Sequence, residues 1–268
     1  MYKIACILFL FPFFLFGQYE EEKRILETLC SPELGGRGYV NSGDSLAAEF
    51  LAKEFKALGL SAVDGNYFQK FSFPINTFPG EVLLEINGKV LTPGSEFLIH
   101  PASGNTDVKA RTKVFQIADF NNGTFNKHLE QIQSGELIPV LNPGETTNRD
   151  TLMGLQQAAE SIAEISPVIL LSSHLSWHLS QKQLNHAIIE IHKDFFKEGE
   201  IKIKVEAKLK QHTARNVIAE IPAKGKAKKT IVFTAHYDHL GRMGQDTYFP
   251  GANDNGSGTT MLLSLARE

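Results

Sequence analysis

Cysteine is nearly absent from this sequence. There are two, Cys6 and Cys30, and the first lies in an apolar leader that is expected to be removed. One remaining thiol excludes an internal disulfide framework, so packing must hold the fold. With no His or Asp close by in sequence, Cys30 reads as a small core residue rather than a nucleophile. A basic excess is also missing. The formal net charge is −3, which leaves no electrostatic footprint for nucleic acid. The sequence shows no repeat and no low-complexity stretch. Its longest apolar run, Ile4 to Phe16, is shorter than the roughly 20 residues a membrane-spanning helix needs.

What is present is ordinary for a globular protein: 42% hydrophobic and 21% charged residues over 268 positions, enough for one or two domains with a sizeable core. The leader begins with Lys3, continues through the apolar run, and ends in Gly17 and Gln18 before the charged Glu20 to Arg24. That order predicts a secretory signal over residues 1–18, with a buried N-terminal strand or an uncleaved anchor as alternatives. The predicted location is secreted or periplasmic, with no stable membrane insertion once the signal is cleaved. No Cys closes the apolar run, so a lipid anchor is not supported.

Ser42 to Gly59 predicts an amphipathic helix, with Ala47, Phe50, Leu51, Phe55 and Leu58 at helical spacing and Gly59 suited to a left-handed cap. The preceding Leu34-Gly35-Gly36-Arg37-Gly38 reads as a tight turn of structural purpose. Phe68 to Phe73 alternates as a half-buried strand does. From about Ile75 to Glu200 the texture changes to short strands (Val82 to Ile86, Val114 to Ile117, Leu137 to Leu141, Val168 to Leu171) separated by turns, with a helix over Gly154 to Ile165. Ile201 to Leu209 alternates strictly and predicts a strand with one wet face. Asn216 to Ile221 and Thr230 to Ala235 follow as further strands, the latter apolar without alternation, as a strand covered on both faces would be.

The predicted organisation is a signal at 1–18, the first part of an α/β domain at 19–75, a smaller β-rich or α/β insert at 76–200, and the α/β domain continued at 201–268. Thr259 to Glu268 opens a helix without a closing cap, which suggests the N-terminal portion of a longer protein.

Chemistry concentrates between Thr230 and Gly258. An apolar run leads into His236-Tyr237-Asp238-His239, and after a loop comes Gly251-Ala252-Asn253-Asp254-Asn255-Gly256-Ser257-Gly258, followed by Met261-Leu262-Leu263. Ligands in open α/β sheets sit at the carboxyl ends of strands, where His236 and Asp254 both fall. Imidazole with carboxylate suits zinc. Asp238, two residues on, shares the face of His236 if the strand pattern persists. It is available as a metal ligand or as the acceptor for the other ring N–H of a ligating histidine. Asp254 follows His236 by 18 residues, and its two oxygens suit it to bridge a pair of ions. His239, alternating in direction, is expected to point away. His174, His178, His186 and His192 read as structural, as does the glycosylation-type pattern at Asn255; Asn122-Gly123-Thr124 fits that pattern too.

The segment from Asn216 to Arg267 resembles the M28 family of zinc peptidases, in which aminopeptidases predominate. The resemblance rests on His236 to Gly241, Gly251 to Gly258 and Leu262 to Arg267. It implies a three-layer zinc-exopeptidase sheet with helices on both faces, incomplete at the C-terminus, with a protease-associated-type module in the insert. It also implies a secreted peptidase that hydrolyses peptides with a metal-activated water. By the same resemblance, His236 is expected to bind one of two zinc ions, Asp254 to bridge both, and Asp238 to serve catalysis as the partner of His236. The Asp254–Asn255 peptide is expected to be cis. The family's general base and other ligands lie beyond Glu268, so the chain alone is expected to bind zinc weakly and to lack activity. A carboxypeptidase or dipeptidase specificity stays open, and so does a non-catalytic binding protein on the same scaffold.

Overall fold

A computed structural model describes residues 19–226 and 228–268; the expected signal at 1–18 lies outside them. The chain divides into two compact units. The first comprises residues up to Ser72 with Thr213–Gly241 and Tyr248–Glu268, and the second Phe73–His212 with Arg242–Thr247. The paired strands Phe68–Thr77 and Lys208–Val217 carry the chain out of the first unit and back.

The second unit is built on an eight-stranded mixed sheet. Its order is Lys89–Val90, Val82–Ile86, Glu200–Val205, Thr106–Gln116, Leu137–Asn142, Val168–Ser172, Ile188–His192 and Phe97–Ile99. The four strands from Thr106–Gln116 to Ile188–His192 run parallel to one another, and the flanking pairs are antiparallel. Parallel strands need a crossover that covers the sheet. The helix Arg149–Ile162 supplies one, started by Asn148, whose Oδ1 accepts the Thr151 N–H at 2.9 Å. Its Leu155, Ala159 and Ile162 pack with Phe115, Leu141, Val168 and Ile188.

The alternating Ile201 to Leu209 segment is a strand only to Val205. Ile201, Ile203 and Val205 are buried as the pattern requires, but the ladder breaks at Glu206-Ala207 and Leu209 is exposed. This stretch belongs to the second unit rather than to the domain that carries His236.

The first unit is helical at its core. Residues 19–29, the helix Gly43–Ala57 and the helix Ser257–Arg267 contribute Ile25, Leu29, Ala47, Leu51, Phe55 and Leu263 to one apolar cluster. The Gly43–Ala57 helix closes with the paired bonds Leu60 N–H to Phe55 O and Gly59 N–H to Lys56 O, Gly59 taking the left-handed φ of 75° that glycine adopts at little cost. Among the described residues no helix is long and apolar enough to cross a membrane.

The expected buried strand Thr230–Ala235 does not form. Ile231, Val232 and Phe233 are 80%, 73% and 66% exposed, and residues 230–240 join no ladder among the described residues. An apolar run becomes a covered strand only where neighbouring strands take up its backbone groups.

Candidate functional site

Although the strand is missing, local alternation survives at its carboxyl end. Tyr237 turns inward against the helical cluster, and its hydroxyl donates to the Arg215 carbonyl. His236 and Asp238 therefore face the other way together. Thr259, in the first turn of the following helix, donates through Oγ1 to the His236 carbonyl at 3.0 Å. That bond ties the imidazole's backbone to the element that starts just after Asp254. Gly251 enters this turn in the left-handed region, with φ of 59°, and the Asp254–Asn255 peptide is cis.

His236 and Asp254 meet. Nε2 of the ring lies 3.1 Å from Oδ1 of the carboxylate. On the opposite side of the ring, Nδ1 stands 3.1 Å from the backbone oxygen of Asp238 and 3.7 Å from its Oδ1. A carbonyl only accepts, so Nδ1 carries a hydrogen. The ring N–H thus goes to the Asp238 main chain, with the carboxylate alongside rather than as the nearer acceptor. Both groups are open to solvent, His236 at 55% and Asp254 at 71% of side-chain area.

His239 does not point away as period two would have it. Its ring is mostly buried, and Nδ1 lies 4.0 Å from Asp254 Oδ2. It lies close against Gly251, where a Cβ would run into the ring. Burial lowers its pKa, and the Arg37 charge acts in the same direction. Because the segment is not a strand, strand alternation does not govern position 239.

Two residues from the N-terminal turn complete the surroundings, and sequence reasoning passed over both. Tyr39 donates its hydroxyl to Asp238 Oδ2 at 2.6 Å; burial, and then that hydrogen bond, push its ionisation far above the ordinary range. Arg37 is fully buried. Its guanidinium donates to the carbonyls of Tyr237, Leu29 and Pro250 at 2.6 Å and of Gly251 at 2.8 Å. The only hint in the sequence was an arginine set among three glycines.

The insert histidines belong to the second unit. His178 meets the buried His100 edge-on at 5.8 Å. Among the described residues no group of three or more His, Cys, Asp or Glu side chains is placed to hold a metal ion.

The family model described as Peptidase family M28 matches residues 216–268. Aminopeptidase YwaD from Bacillus subtilis (strain 168) is 24% identical over 197 residues, covering 68% of this chain and 39% of that protein. The solved aminopeptidase from Aneurinibacillus sp. strain AM-1 superposes with a TM-score of 0.52 at 22% identity, over 92% of this chain and 58% of that one. The chain thus spans well under two thirds of either relative. These comparisons do not confirm the protease-associated character expected of the insert. The M28 match thus takes in both site segments, and the mixed α/β fold is like that of the solved aminopeptidase.

Proposed function

We propose that this protein is a secreted, zinc-dependent aminopeptidase acting on peptide substrates, and that this chain supplies two of its metal ligands, His236 and Asp254. The observation that carries the reading is the 3.1 Å approach of His236 Nε2 to Asp254 Oδ1, inside the stretch that matches M28. With Nδ1 donating to the Asp238 carbonyl, Nε2 is the ring nitrogen that faces the carboxylate oxygen. An imidazole nitrogen and a carboxylate oxygen in that arrangement suit a shared metal cation. Donors on one tetrahedral zinc stand about 3.3 Å apart, so the pair fits such an ion. Zinc, when bound, supplies Lewis-acid polarisation of the scissile carbonyl.

The chain's own residues do the positioning. Asp238 lies beside Nδ1 and favours the tautomer that leaves Nε2 for the metal. Tyr39 fixes the rotamer of Asp238 through its hydroxyl. Asp254 keeps Oδ2 on the His239 side, available to a second ion. Two ligands fall short of the three that a catalytic zinc takes. The remaining ligands and the general base belong to a longer product, and activity belongs to that product. Secretion rests on the apolar leader at residues 1–18.

The test is metal content and aminoacyl-nitroanilide hydrolysis, measured on a full-length product and on residues 19–268 alone. The longer protein should hold zinc and lose activity to a chelator, while the shorter should do neither. A full-length product that purifies without zinc and cleaves no peptide would be a binding scaffold instead.

A further inference from the structure

Among the described residues no carboxylate is hydrogen-bonded to the Arg37 guanidinium. Four carbonyl oxygens receive it, from Leu29, Tyr237, Pro250 and Gly251. These lie on three separate stretches of chain. Tyr237 sits between His236 and Asp238, and Gly251 stands three residues before Asp254. One rigid fork therefore grips both segments of the site and anchors them to the end of the 19–29 helix. The adjoining Gly38 is pressed on the backbone of Gly241, where a Cβ would collide with Gly241 Cα, so the turn lies flush against the strip that follows His239. Burial works against the charge, and Cys30 with the carboxylates of Asp238 and Asp254 works for it. A buried cation held by main-chain oxygens is costly to build. A turn that only had to reverse the chain would not need one.

We infer that Arg37 is a positioning residue for this site: its guanidinium clamps the Tyr237 carbonyl to the Pro250 and Gly251 carbonyls and so holds His236 and Asp254 face to face. Lysine cannot replace it, because a point charge with three donors does not match a planar fork with five. The importance of the clamp for catalysis rests on the metallopeptidase reading, but the geometry it enforces is testable without metal.

The experiment introduces His236→Cys and Asp254→Cys together and follows their linkage by a short bis-alkylating reagent. The 236–254 link is scored by peptide mapping, so Cys6 and Cys30 stay in place. The pair is compared in the native, Arg37→Lys and Arg37→Gln backgrounds, with the folded fraction measured by circular dichroism and urea titration. Linkage in the folded fraction should slow at least about tenfold with Gln, the scale of one lost charge-assisted hydrogen bond, with Lys in between. Arg37→Lys keeps the buried cation and serves where the Gln variant does not fold. Native linkage rates in either folded variant would overturn the assignment and leave Arg37 a stabiliser of the turn. In parallel, zinc titration of the full-length product without the cysteine pair tests the metal reading separately: absent zinc binding there with Arg37-dependent linkage would sink that reading and keep the clamp.

Discussion

Tyr39 and Asp238 are 199 positions apart, yet the phenol donates to the carboxylate at 2.6 Å. The bond orients the acid that stands beside His236 Nδ1. Tyr39→Phe removes it while keeping the ring's packing. A hydrogen bond to a charged, partly exposed acceptor is worth about 1 kcal/mol, so the unfolding free energy should fall by that amount, read as a lower urea midpoint with an unchanged slope. An unchanged midpoint would mean that water serves Asp238 equally well.

Asp238→Asn keeps the shape and removes the charge that favours the metal-binding tautomer of His236. Loss of such a partner weakens metal binding by about 10- to 100-fold. Zinc titration of the full-length product measures this, and His236→Ala in the same assay sets the floor. An Asn variant with native zinc affinity would confine Asp238 to a structural role.

Gly251→Ala places a methyl group against the His239 ring and the Asp254 carbonyl at a left-handed φ. The conformation and the overpacking together should cost about 2–5 kcal/mol. The ring and the Asp254 backbone cannot both stay in place, so zinc binding should weaken in the protein that remains folded. A variant as stable as the native chain would show that this turn relaxes freely.

Two groups in the second unit make opposing demands on pH. His100 is buried beside His178, and its pKa falls to about 4. Burial raises Glu190 to about 7. The unfolded chain protonates His100 below its ordinary value while the folded chain resists, so its contribution is present above that value and is lost as pH falls toward 4. Glu190 behaves the other way. Its contribution is present at low pH and is lost as pH rises through about 7. Each amounts to about 3 kcal/mol at most, and between about pH 4.5 and 6.5 they offset. Native stability should be nearly flat in that window. Glu190→Gln should lose stability on acidification, and His100→Asn should lose it as pH rises. Parallel curves for all three proteins would refute the assignment.

Much of the second unit was legible because its strands and turns are local. Val82–Ile86, Leu137–Asn142 and Val168–Ser172 lie within a residue of where pattern and turn chemistry put them. Asn148 moved the start of the helix earlier than periodicity alone suggested, by offering a cap six positions before the expected start at Gly154. Thr230–Ala235 misled for the opposite reason. Its apolar run reads as covered on both faces, but covering it takes strands from elsewhere, and none pairs with it among the described residues.

By itself the sequence determined the chemistry: the imidazole, the two carboxylates and the glycines that let a turn approach them are all in plain order between His236 and Gly258. Only the tertiary structure decided how that chemistry is held. It put Nε2 against Asp254, gave the Nδ1 hydrogen to a main-chain oxygen, turned His239 inward, and drew Arg37 and Tyr39 in from the far end of the chain. Residue type and spacing report which groups can act. The partner of a buried guanidinium or phenol is set by contacts between distant segments, and no local pattern encodes them.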